Sequence, residues 1–185
     1  MASAHSPDMA PAADLPHTAF SRVVFGAVRS IGIAVSFVWA LLVLAIVAGV
    51  AMRYGLHRGT VLLEEVQWHL NAVGIAIAIS FAMTSNSHIR VNLFSDSFSL
   101  RTRAWIELVG LCLFLVPYCY FTVKHGIDFA TNSFLTGEVS VVPSGLSHRW
   151  IIKSFLPIAF LLLGVMALAQ ITRCLVCIAG RTEPR

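Results

Sequence analysis

Four stretches of this chain carry almost no Asp, Glu, Lys or Arg, and that pattern constrains the fold before any motif is considered. They run approximately over 30–52, 66–83, 104–123 and 154–172, and the third holds one acid, Glu107, near its start. A hydrocarbon core about 30 Å thick takes roughly 20 helical residues to cross. Each stretch is long enough to span and too long for an ordinary core helix. Backbone groups in lipid must bond within their own segment, which leaves helices as the solution for runs of this length. The expected fold class is all-α, an integral membrane protein with four transmembrane helices. Composition agrees, with 57% hydrophobic and 12% charged residues where soluble domains carry about a quarter charged.

The blocks divide the chain into an N-terminal tail and pre-helix (1–29), one four-helix membrane domain (30–175) and a short C-terminal tail (176–185). The tail is expected to be mobile, because its Ala, Pro and His residues show no apolar period. The first block is not a cleavable signal: its apolar core exceeds the roughly 7–15 residues of such a region, and Asp8 and Asp14 precede it. Lys and Arg number eight on the side of the tails and five on the other, which puts both termini in the cytoplasm. Tyr54, Trp68, Trp105 and Trp150 fall near block ends, at the depth that amphipathic rings prefer. The net charge of +4 reflects loop orientation and contact with membrane lipids, with no nucleic acid partner implied.

Between the second and third blocks lies "SNSHIRVNLFSDSFSLRTR" (85–103). As a helix it would place Ile89, Leu93 and Phe94 on one face, a short interfacial amphipathic segment with Arg90, Arg101 and Arg103 turned to phosphates. The alternation in "HIRVN" fits a short extended lead-in equally well. In the second block Ala72, Ala76 and Ser80 recur every four residues, a face that lets helices approach closely in lipid and puts this helix at the centre of the packing. Pro117 should kink the third helix or free a carbonyl, whereas Pro157, near the start of the fourth, should be tolerated. The stretch from Lys124 to Ile151 is expected to be the longest outer loop, with β-like content in "TGEVSVVPSG" (136–145).

Three constellations carry possible chemistry. Glu64 and Glu65 open the second block, where acids suit the positive helix end; a contact with another helix or subunit is the functional reading. His69 and His125, both near the outer boundary, would be the axial pair of a haem in a cytochrome b-like anchor. Cys174 and Cys177 form C-x-x-C, a redox pair or simply two inert thiols. No block bears a charge at mid-depth, the usual mark of an ion or proton path.

"LLEEVQWHLNAVGIAIAISFAMTSNSHIRVNLF" (62–94) resembles the signature region of the small membrane subunit, DctQ-like, of tripartite ATP-independent periplasmic (TRAP) transporters. Glu64, Glu65, Trp68, Gly74, His88, Ile89 and Val91 carry the resemblance, while Asn92 stands where an acid is usual. "RTRAWIELVG" (101–110) and "HRWIIKSFLPIAFLLLG" (148–164) are also similar, with Trp150, Lys153 and Pro157 in place and His148 where a proline is frequent. The resemblance implies a non-enzymatic, cofactor-free scaffold in the bacterial inner membrane. It would pair with a large membrane subunit that holds the substrate and sodium sites, and with a periplasmic substrate-binding protein that delivers an organic acid. Glu64, Glu65, Trp68, His88, Arg90, Arg101, Arg103, Trp150 and Lys153 are the expected subunit or membrane interface, and Ala72, Ala76 and Ser80 the expected helix packing.

Overall fold

The computed structural model describes residues 15–57, 59, 61–84, 99–140 and 145–180. His88, Arg90 and the interfacial segment between the second and third helices lie outside the described residues. Four helices follow in order: α1 (Ala19–Gly55), α2 (Val61–Thr84), α3 (Leu100–Leu135) and α4 (Trp150–Ile178), each long and apolar enough to cross a membrane. The chain is thus an all-helical, four-span membrane protein.

Every helix outruns its apolar block. α1 starts at Ala19, where Thr18 and Ser21 cap each other in a reciprocal box that satisfies two otherwise unpaired N–H groups. α3 continues through Lys124, His125 and Asp128 to Leu135, so half of the expected outer loop is helix. Polar residues end an apolar run without ending a helix, because main-chain bonding continues wherever the next turn is sterically free. The described residues of 136–145 form no strand: Thr136 and Gly137 turn back on the helix end, and Gly137 takes φ +59°.

Packing follows two antiparallel hairpins. In α1–α2, rings fill the space over glycines. Phe81 covers Gly32, and Trp39 lies over Gly74, whose Cβ, if present, would meet the indole at 3.0 Å. In α3–α4, Gly126 faces Pro157 and Cys119 faces Gly164, with Cβ separations of 3.2 and 3.6 Å for each glycine built as alanine. Small residues at these crossings suit a bilayer, where close van der Waals packing replaces hydrophobic driving force.

The central helix is α4, not α2, and it packs on each of the other three. Its buried set is Pro157, Ala159, Leu163, Met166, Ala167, Ala169, Gln170, Arg173 and Cys174. An apolar run that is buried on several faces shows no one-sided stripe, which is why the sequence pattern drew attention to α2 instead. Ser80 of α2 does reach this centre, donating to the Ala159 carbonyl at 3.3 Å, while Ala76 is half-buried and Ala72 exposed.

The buried residues of α3 are Ala104, Leu111, Cys119, Gly126 and Ser133, a spacing of seven with one step of eight. The extra residue sits in a π turn, Leu111–Leu115, closed by the Val116 N–H on the Leu111 carbonyl. One added residue would otherwise rotate the rest of the helix away from α4; the wider turn absorbs it. It also lies just ahead of Pro117, which supplies no N–H. Pro157 is the eighth residue of α4, well inside the helix, where it takes away the N–H that would bond the Lys153 carbonyl.

Candidate functional site

Polar side chains gather at the two ends of the bundle. At the end holding the α1–α2 and α3–α4 connections, the loop face, two acids pin the α3–α4 connection. Glu65, in the second turn of α2, accepts from the Ser140 hydroxyl and from the Leu146 N–H. Ser140 in turn donates its N–H to the Leu146 carbonyl at 3.2 Å, so both sides of the connection close on one carboxylate. Gly145 makes this closure sterically feasible: a Cβ there would lie 2.4 Å from the Ser140 side chain and 2.8 Å from Glu65 Oε1.

Glu138 makes the second attachment. It accepts from Lys153 and lies 3.9 Å from Arg149, both on the α4 side. The Lys153 ammonium also sits 4.0 Å from the centroid of the Phe129 ring, a favourable cation–π placement. Trp150 packs edge-on against Phe134 with centroids 5.3 Å apart. The Lys153 ammonium beside Glu138, helped by Arg149, holds that carboxyl below the usual carboxylate range.

On the α1–α2 side, Glu64 pairs with Arg53. Gln67 donates to the Ala45 carbonyl at 3.0 Å, across a gap that Gly49 leaves open. Trp68 points outward and is 73% exposed. Of the expected interface residues, Glu64, Glu65, Trp68, Trp150 and Lys153 therefore share the loop face. Arg101 and Arg103 stand at the opposite end, in the first turn of α3, exposed and half-buried.

That opposite end, the termini face, holds a cluster whose members do not form a sequence motif. Arg173 is 2% exposed. Its guanidinium donates to Gln170 Oε1 at 3.0 Å and to the Leu15 carbonyl at 2.6 Å, and its Cζ lies 5.3 Å from the Phe25 ring centroid. Gln170 passes the link to Glu107 of α3, 2.8 Å away. The hydroxyls of Thr18 and Thr172 meet at 3.1 Å. Leu15 closes over Ala104 and the buried Cys174. The i, i+3 spacing of Gln170 and Arg173, with a lone acid in a neighbouring block, was the available signal.

The remaining candidates are not drawn together. His69 directs Nδ1 at the Glu65 carbonyl, 2.6 Å away, and His125 is exposed on α3. α2 packs chiefly on α1 and then on α4, and α3 chiefly on α4, so neither helix has the other as a main neighbour. Cys174 is buried, Cys177 half-buried, and neither forms a disulfide. The arrangement offers charge-assisted bonds that fix loops and helix ends, which is the chemistry of a framework.

Comparison with known families matches the chain to the family described as tripartite ATP-independent periplasmic transporters, DctQ component, over residues 42–177. No curated protein and no solved structure matches the chain. The matched region runs from the middle of α1 through nearly all of α4, taking in the whole loop-face cluster and the Glu107–Gln170–Arg173 link.

Proposed function

The chain belongs to the DctQ component family of tripartite ATP-independent periplasmic transporters, and from that premise we propose that it scaffolds and anchors a large membrane subunit. That subunit would carry out sodium-coupled uptake of an organic acid delivered by a periplasmic binding protein. The family supports a small permease component; the scaffold role is our reading. The observation that carries it is the distribution of polar bonds. Ion pairs and charge-assisted bonds bind the two ends of the bundle, while the described middle is held by glycine, alanine and ring packing. A framework needs its ends fixed and has no use for charge at mid-depth.

Exposed apolar side chains support the same reading. Phe37, Val43, Leu44 and Val47 of α1 are each more than half exposed within the single chain, a surface for lipid or a second subunit. In this proposal both termini are cytoplasmic, in the bacterial inner membrane, and the loop face is periplasmic, where the pinned α3–α4 connection meets the binding protein. The haem-anchor alternative gains nothing from the family match or from the placement of His69 and His125.

Co-expression with the candidate large subunit tests the proposal. The two should copurify through an affinity tag on either, and loss of this chain should abolish binding-protein-dependent uptake. Failure to copurify together with intact uptake would sink the scaffold role. Reporter fusions at the C-terminus test the orientation: activity of a cytoplasm-dependent reporter is expected.

A further inference from the structure

A cleft of about 540 Å³ opens between the loop-face ends of α1 and α2, within the range of about 300–1,000 Å³ typical of small-molecule sites. Its inner wall is aliphatic, built from Leu42, Ile46, Val50 and Leu63. At its mouth stand Arg53 and Glu64, whose side chains are 57% and 50% exposed. Their ion pair joins one guanidinium nitrogen to one carboxylate oxygen. A guanidinium has five N–H donors and a carboxylate two oxygens, so both groups keep bonding capacity beyond the pair. Tyr54 and Trp68, each 73% exposed, flank the mouth. Such rings settle at the headgroup layer, so the charges lie at headgroup depth and the aliphatic wall at acyl depth.

We propose that this cleft binds one phospholipid whose headgroup carries both a phosphate and a primary amine. The phosphate would sit on Arg53, the ammonium on the free oxygen of Glu64, and an acyl chain along the aliphatic wall. Adjacent charges of opposite sign match a zwitterion, whereas an anionic headgroup would face Glu64 and gain less. A helix from another subunit fits the cleft poorly. Close helix approach in lipid favours small residues, yet the wall is bulky, and the space over its one deep glycine, Gly49, is filled by the Gln67 amide. A flexible chain conforms to such a wall. The inference requires only that the four helices cross a bilayer, and it stands apart from the scaffold role.

The test uses the full chain in nanodiscs of equimolar phosphatidylethanolamine, phosphatidylcholine and phosphatidylglycerol, released into native mass spectrometry. The intact protein should retain phosphatidylethanolamine roughly tenfold over either competitor, the low end for one hydrogen bond to a charged group. Glu64→Gln should erase the preference over phosphatidylcholine, and Arg53→Gln should lower retention of all three. Leu63→Trp, which narrows the cleft and leaves both charges in place, should also lower retention of all three. Equal retention of the three lipids by the unaltered chain, or a preference that survives both charge substitutions, would overturn the proposal. So would a cysteine introduced by Ile46→Cys that crosslinks to a helix of the large subunit in a complex retaining no lipid.

Discussion

Gly145 decides whether the loop-face attachment closes at all. A Cβ at this position would meet Ser140 and Glu65 so closely that any side chain must displace one of them. Gly145→Ala should cost about 1–3 kcal/mol through overpacking; a lower unfolding temperature in detergent and faster proteolysis of the α3–α4 connection are the measurements. Arg173 plays the corresponding part at the termini face. Arg173→Met keeps volume but removes the donors, leaving the Leu15 carbonyl and Gln170 oxygen buried without those bonds. The expected loss is about 2–4 kcal/mol, read by thermal unfolding, and the sealed Cys174 thiol should alkylate faster as the Leu15 cover loosens. These two positions were unequally legible. Glu65 and Lys153 stood out as charges beside apolar blocks, but their common target, the α3–α4 connection, depends on the path of a loop with no periodicity. Arg173 looked like one more cation of the termini face, because its burial comes from Leu15 and Phe25, over 145 residues away in sequence.

The helices themselves were plain from the apolar runs; their ends and internal register were not. A run of apolar residues measures how much of a helix lipid can cover, whereas hydrogen bonding sets where the helix stops. α3 accordingly runs twelve residues past the expected limit at Val123, to Leu135. Its π turn was invisible in the sequence, since the spacing of seven and eight emerges only once the α4-facing residues are known. The α3–α4 connection should respond to acid. Lys153 lowers the Glu138 carboxyl from its ordinary value of 4.5, so the attachment is fully present above that pH and is lost as pH falls through the lower, folded-state value. A spin label on exposed Val139 should gain mobility only below about pH 4.5, and Glu138→Gln should show the mobile spectrum at every pH. A pH-independent label in the unaltered chain would contradict the assignment.

The whole molecule is a pair of hairpins joined through α4, with α1 the least covered member. Of the most apolar stretch of α1, 6% is buried, against 28% for α4. At 1.5 Å per residue its 37 residues reach about 55 Å, while a bilayer core is about 30 Å thick. The base of α1 is held by the Thr18–Thr172 contact and by Arg173 on Phe25. A rod of that length, fixed at its base, converts a tilt of about 5° into about 5 Å of travel at its far end. Helices whose apolar stretch exceeds the bilayer core accommodate by tilting; the apolar block of α1, 30–52, reaches about 35 Å, so α1 is expected to tilt. Its tilt should increase in short-chain lipid and relax in long-chain lipid, measurable by oriented-sample spectroscopy. The travel would be felt first at Arg53 and the cleft beside it, the point farthest from the clamp.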